Sequence, residues 1–259
     1  MEIISSEQNQ KIKNLIKLRE KSRDRKKLGL FVVDGLREIK EVIAGGFVIE
    51  ELFICSNFFK KELDFKVEKI VNVSDLVYKK ISYKEKPEGI LALVKTQTKN
   101  IDEIKLDQNS LILVLEAVEK PGNLGAIIRS AYAVGVDLII INDEQTDIYN
   151  PNVIRASEGL LFKIPIISSN FKETQKFLDK NKIKTVATSL GGGKNHTEIN
   201  YQEAVAIILG TESNGLSGKW LKAANEVVNI PMKPGIDSLN VSVSAAILIF
   251  EAWRQRGFR

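Results

Sequence analysis

IPMKPGIDSLNVSVSAAILIFEA, residues Ile230 to Ala252, is the stretch on which the fold of this chain turns. It opens as a short apolar strand, passes through a Pro-Gly loop and enters a helix that is apolar almost all round. A helix of that kind belongs inside a protein. Its polar atoms gather at the entry, in Ser238, Asn240, Ser242 and Ser244, where burial without partners is costly. Backbone groups at the end of a buried strand, facing the start of a buried helix, are where α/β proteins hold nucleotide-like ligands. The expectation is a ligand site at the carboxyl end of a parallel sheet.

Working outward, the preceding 120 residues or so alternate apolar runs with helical patterns. LILVLEAV, from Leu111, is a continuous apolar run of the kind found in strands covered on both faces. Helices are predicted over 123–134, 152–161 and 171–181, and strands at Leu138 to Ile141 and in TVATSL, AVAIILG and VVNIPM. Strands alternating with helices predict a parallel, doubly wound sheet. The chain up to Lys99 reads as a smaller α/β unit, with strands in LGLFVVDG, Val48 to Cys55, KIVNV and Gly89 to Thr96, and a helix stopped by Gly45-Gly46. The polar stretch TQTKNIDEIKLDQNS separates the two. The predicted organisation is a domain over 1–99, a linker over 100–109 and a second domain over 110–259.

The composition, 44% hydrophobic and 27% charged over 259 residues, is ordinary for a globular protein. Cys55 is the single cysteine, which excludes an intramolecular disulfide and fits a reducing compartment. The first twenty residues hold no uninterrupted apolar core, and no apolar run reaches membrane-spanning length. A cytoplasmic protein without a membrane partner is expected. Its net charge of +5 is uneven: Lys11 to Lys27 carries nine basic residues against Glu20 and Asp24, a local +7 that leaves −2 for the rest. Such an arm is either a solvated helix face or a surface for a phosphate backbone.

Three turns at predicted strand ends carry the chemistry. EKPGNLGAIIRSA (Glu119 to Ala131) has only Gly122 and Gly125, so it is no GxGxxG dinucleotide fingerprint. It leaves Asn123 at a helix start and Arg129 within the helix, a functional cation or one member of a structural ion pair. ILGTESNGLSGKW (Ile208 to Trp220) ends a strand at Gly210, places Glu212 in a tight loop closed by Gly215, and offers Ser217 as a helix cap. Glu212 is either an acceptor for loop N–H groups or the partner of a cation such as Arg129. The third turn is the opening stretch. SLGGGKNH fails as a phosphate loop, because Thr188 stands where glycine is required and Asn195 where Ser or Thr is; a flexible loop is predicted. His196 is the only histidine, so no metal site of soft ligands is expected. No Gly-x-Ser-x-Gly elbow is present.

In that order, GNLGAIIRSA, LGTESNGLS and IPMKPGIDSLNVSVSAAILIFE resemble the three motifs of the SpoU-type (TrmH-type) RNA methyltransferases of the SPOUT superfamily. PNVIRASEGLLFKIPI (Pro151 to Ile166) is similar to the family's helix between the first two motifs. The first hundred residues resemble the small ribosomal-protein-like RNA-binding domain often fused in front, with Asp34-Gly35 where Glu-Gly is more usual.

The resemblance implies an α/β fold whose parallel sheet ends in a C-terminal trefoil knot, and a homodimer formed through that domain. It implies an S-adenosylmethionine-dependent 2′-O-methyltransferase acting on RNA, ribosomal RNA by family habit and transfer RNA as the alternative. Asn123, Arg129, Glu212, Ser238 and Asn240 fall on the family's active-site positions. Thr188, Ser189, Leu190, Gly210, Ile230, Met232 and Leu239 fall on those that hold the methyl donor. Arginine is a poor base, its pKa lying above about 12, so Arg129 is expected to orient the ribose-phosphate and stabilise the alkoxide. With an RNA substrate, the arm becomes a phosphate grip through Lys11, Lys13, Lys17, Arg19, Arg23 and Arg25. The competing readings are a catalytically silent RNA-binding or ribosome-assembly factor of the same fold, and a dehydrogenase, which the missing GxGxxG turn disfavours.

Overall fold

A computed structural model describes residues 3–211 and 215–258, and the apolar runs of the sequence separate there into two sheets. One unit comprises the chain up to Gln97 together with Asp147–Lys163; the other comprises Thr98–Thr146 and the chain from Ile164 onward.

The first unit runs β1 (Ile3–Ile4), α1 (Gln10–Glu20), α2 (Ser22–Leu28), β2 (Leu30–Asp34), α3 (Leu36–Ala44), β3 (Ile49–Ile54), β4 (Ile70–Val73), α4 (Asp75–Ile81) and β5 (Ile90–Lys95). The sheet order is β1-β4-β3-β5-β2, with β5 antiparallel to both neighbours. Asn9 starts α1 by accepting from the Lys11 N–H at 2.9 Å. Ile12, Leu15 and Leu18 then recur at helical spacing and pack on a core with Val32, Phe53, Tyr78 and Leu91. At the end of β2 the carboxylate of Asp34 is fully buried. It accepts from the Tyr78 hydroxyl (2.8 Å), the Ser82 hydroxyl (2.7 Å) and the Tyr83 N–H (3.0 Å), so the α4 C-terminus is ordered around it. Gly35 follows with φ +113°, a backbone conformation that glycine alone adopts without strain.

Asp147–Lys163 groups with this first unit, whereas the sequence reading ran the second domain unbroken over 110–259. The cause is aromatic: Tyr149 and Phe162 stack on Phe31 of β2 with ring centroids 4.3 and 5.8 Å away. The predicted helix over 152–161 is also shorter. It is α6 (Pro151–Ala156), which ends where Glu158 and Gly159 turn to positive φ, followed by a 3-10 turn at Leu160–Phe162.

The second unit runs β6 (Leu111–Glu116), α5 (Pro121–Ala133), β7 (Leu138–Asn142), β8 (Ile166–Ser169), α7 (Phe171–Lys180), β9 (Lys184–Thr188), β10 (Lys194–Asn195), β11 (Val205–Leu209), α8 (Gly218–Ala223), β12 (Glu226–Asn229) and α9 (Val241–Gln255). Among the described residues its sheet has seven strands in the order β10-β12-β9-β11-β6-β7-β8, all pairs parallel. The predicted α/β class and parallel sheet are therefore present. Every residue of β6 is buried, as its unbroken apolar run requires. α5 begins two residues earlier than predicted because Pro121 takes the first helical position, where its missing N–H costs nothing.

Two stretches read as irregular are built into this unit. In the predicted linker 100–109, Ile101, Ile104 and Leu106 pack against the sheet core, their apolar spacing outweighing the polar residues between them. In the predicted flexible loop, Lys194 and Asn195 pair with Val228 and Asn229 as an edge strand. His196 then starts a 3-10 turn closed by a capping box between Asn195 and Glu198.

The strand order positions the site. From β6 the chain goes outward through β7 to β8, returns beyond β6 to β9, and then inserts β11 between β9 and β6. The carboxyl ends of β9, β11 and β12 are thereby neighbours, and the loops leaving them converge.

Candidate active site

Those three loops enclose a cavity of about 570 Å³. Thr188, Ser189 and Leu190 leave β9, Gly210 leaves β11, and Ile230, Met232 and Leu239 lie in the connection from β12 to α9; all seven line this one cavity. The loops are held by backbone geometry. The Ser189 N–H donates to the Val228 carbonyl at 2.9 Å, and the Thr188 hydroxyl to the Ile208 carbonyl at 3.1 Å. After β11 the chain folds back on itself: Thr211 and Gly215 exchange N–H···O bonds of 3.0 and 3.1 Å. A Cβ on Gly210 would lie 2.1 Å from the Gly215 carbonyl oxygen, so the turn closes only on glycine.

Ser238 lines the same cavity. Asn240 is the N-cap of α9, its side-chain oxygen accepting from the Ser242 N–H at 2.8 Å and the Ser242 hydroxyl at 2.7 Å. Its amide Nδ2 donates to the side-chain oxygen of Asn123 at 3.2 Å, which joins the entries of α5 and α9. The polar mouth of α9 is therefore exposed at Ser238 and Asn240; the expected cost of burying it does not arise. Arg129 lies on an exposed face of α5, six residues after Asn123, about 9 Å along the helix axis. Of the five predicted active-site residues, Asn123 and Asn240 touch and Ser238 lies on the cavity wall. Glu212 lies outside the described residues.

The sequence reading missed two features. Lys233 is a charged residue in the cavity wall, contributed by the same IPMKPG loop as Ile230 and Met232. Glu116, the last residue of β6, is buried and accepts from both the N–H and the hydroxyl of Ser217, each at 2.7 Å. Ser217 does occupy the N-cap position of α8, but its hydroxyl makes no capping bond. A carboxylate closing an otherwise apolar strand was the available signal.

The basic arm divides on the structure. Arg25 is 2% exposed, its guanidinium donating to Asp147 at 2.6 Å and to the Leu18 carbonyl at 2.7 Å. It is a structural cation inside the first unit and no RNA contact. Lys11 is paired with Glu51 at 2.7 Å. Arg19 donates to the carbonyls of Lys80 (2.9 Å) and Ser82 (3.1 Å) at the end of α4 and pairs with Glu20. Lys13, Lys17 and Arg23 are exposed.

The profile of the SpoU rRNA Methylase family matches residues 110–250, and that of the MRM3-like substrate binding domain matches residues 9–92. The 23S rRNA (guanosine(2553)-2′-O)-methyltransferase RlmP of Bacillus subtilis is 29% identical over 251 residues, 96% of this chain and 98% of that protein. A crystal structure of an RNA 2′-O ribose methyltransferase superposes with a TM-score of 0.84 at 34% identity, covering 98% of this chain and 99% of that one. An AdoMet-bound rRNA methyltransferase from Sinorhizobium meliloti superposes at 0.89 with 25% identity, covering 98% and 97%. With its three motifs gathered at the strand ends of one parallel sheet and the family profile spanning that unit, the chain belongs to the SpoU rRNA methylase family.

Proposed function

We propose that this protein transfers the methyl group of S-adenosylmethionine to a ribose 2′-hydroxyl of ribosomal RNA, in the cytoplasm. The observation that carries the reading is the convergence of Thr188, Ser189, Leu190, Gly210, Ile230, Met232 and Leu239 on one cavity, with Ser238 in its wall. The relatives point the same way, the Bacillus protein being named for 2′-O-methylation of 23S rRNA and the Sinorhizobium structure holding AdoMet.

The bound donor supplies an already activated methyl group, so the protein's work is to align it with the ribose oxygen, exclude water and help remove one proton. Backbone groups of the three loops read the polar edges of the donor, and Leu209, Leu216 and Val241 give its walls an apolar surface. Asn123 and Asn240 hold the helix entries together beside the cavity. Arg129, permanently charged, orients the ribose-phosphate and stabilises the developing alkoxide. Glu212 or Asn240 is assigned to holding Arg129. Lys13, Lys17 and Arg23 grip phosphates.

Two further features belong to this reading. The loop from β9 passes close under β12, where a Cβ on Gly193 would lie 2.6 Å from the Val227 carbonyl oxygen. That approach is the edge pairing of β10 with β12; the C-terminal trefoil knot implied by the family resemblance is proposed together with this fold. In addition, α9 buries only the stripe Val241, Ala245, Leu248, Ile249 and Ala252. Val243 and Phe250 on its other side remain 46% and 43% exposed. An all-round apolar helix with one face uncovered supports a homodimer through this domain.

The test is methyl transfer from labelled S-adenosylmethionine to ribosomal RNA, with the product mapped for ribose methylation. Label on a ribose 2′-oxygen is the expected result. A protein that binds RNA but neither binds donor nor transfers label would be the silent assembly factor instead.

A further inference from the structure

We infer that Glu116 is a positioning residue that, through Ser217, ties the first and second motifs together and sets Gly210, Thr211, Gly215 and Leu216 for donor binding. This inference rests on the methyltransferase reading and deepens it.

Three observations on the second unit carry it. The first is the saturation of the carboxylate. Glu116 is 6% exposed, and one of its oxygens takes the Ser217 N–H while the other takes the Ser217 hydroxyl, both at 2.7 Å. Two short charge-assisted bonds from one residue form a directional clamp.

The second is what Ser217 gives up. It stands at the N-cap of α8 with cap-like dihedrals, φ −61° and ψ 150°, yet its hydroxyl turns away from the helix to Glu116. A serine N-cap ordinarily satisfies an orphan N–H. Forgoing that bond marks the loop anchor as the stronger demand on the side chain.

The third is position. Leu115 pairs with Leu209, so Glu116 sits one residue beyond the point where β11 ends and Gly210 begins. The loop from Gly210 is pinned at its base by the Thr211–Gly215 exchange and at its exit by Glu116. Between those pins it supplies Gly210, Thr211, Gly215 and Leu216 to the donor cavity and carries Glu212 in its sequence. On its other side Glu116 is followed by Ala117, held at φ +53° with its N–H on the Asn142 carbonyl, where the chain turns toward Asn123 and Arg129 on α5. One carboxylate thus stands between the segment bearing Asn123 and Arg129 and Ser217 at the exit of the second motif.

Glu116→Gln keeps the volume but removes the charge and one acceptor. The expected result is a dissociation constant for S-adenosylmethionine raised about tenfold, the size expected for losing a bond to a charged group. Faster hydrogen exchange should appear at Thr211 and at residues 215–217, with the remaining sheet amides unchanged. Ser217→Ala should raise the constant a few-fold and add nothing in the Glu116→Gln background, because both changes cut the same tie. Additive effects of the two substitutions, or wild-type donor affinity in Glu116→Gln, would overturn the inference. If Glu116→Gln fails to fold, Ser217→Ala decides alone, unchanged donor affinity counting against it. Calorimetry on the unsubstituted protein separates the two levels: absent donor binding there removes the methyltransferase reading itself, whereas normal binding with inert substitutions removes only the role of Glu116.

Discussion

Several residues of the proposed site are set by what their backbone allows. Gly210 is the sharpest case, because any side chain would strike the Gly215 carbonyl oxygen. Gly210→Ala is expected to lose donor affinity by more than tenfold while circular dichroism stays that of the folded protein. Wild-type affinity would show that the turn can open without consequence. Arg129 tests a different property. If its planar fork orients the ribose-phosphate, Arg129→Lys keeps the charge but loses the geometry. Turnover should then fall by about a hundredfold, as for removal of one transition-state donor, with donor binding unchanged. Near-normal turnover would show that charge alone suffices. Asn123 and Asn240 read in the sequence as polar residues at two helix starts and, by the family resemblance, as active-site positions; their 3.2 Å contact joins residues 117 positions apart.

At the scale of elements, α1 and α2 show how a charged face divides between structure and function. Lys11 and Lys69 both pair with Glu51 on β3. Burial by itself would raise the Glu51 pKa, but hydrogen bonds and charge from the two lysines outweigh it and hold the carboxyl below its ordinary value of 4.5. Because the folded pKa is the lower one, this pair stabilises above the unfolded value and is lost as the pH falls through the folded one. Glu51→Gln should therefore lower the melting temperature at pH 7, and the difference should shrink progressively as the pH falls below the ordinary carboxylate value and through the lower folded one. A difference that persisted in acid would assign the effect to packing. For RNA, the exposed Lys13, Lys17 and Arg23 are the residues to neutralise together. The slope of log affinity against log salt should then become shallower by about two to three. An unchanged slope would place the phosphate contacts elsewhere.

For the whole molecule, the consequence concerns assembly. The exposed side of α9 is apolar at Val243 and Phe250, and Trp253 packs edge-to-face with both Phe250 and Phe258 near the end of the chain. A charge placed there should be costly in a dimer and tolerable in a monomer. Phe250→Asp is expected to halve the mass measured by light scattering. A mass that was already monomeric before substitution would remove the homodimer from the reading. No helix among the described residues is long and apolar enough to cross a membrane.

The sequence by itself determined most of the second unit's strands and helices to within a few residues, β8 and β10 excepted, and with them the parallel sheet. These are local: a buried parallel strand reads as an unbroken apolar run, and each loop carries its glycine or N-cap where backbone conformation demands it. Only the tertiary structure decided what depends on partners far along the chain. Arg25 looks like its basic neighbours in sequence, and Asp147, 122 residues away, makes it structural. Residues 147–163 lie between two motifs of one domain and group with the other, because Phe31 offers Tyr149 and Phe162 a place to stack. Ser217 carries every sign of a helix cap, yet a carboxylate 101 residues earlier claims its hydroxyl. Charge and capping preference are properties of a residue, whereas burial and pairing are properties of the place the fold finds for it.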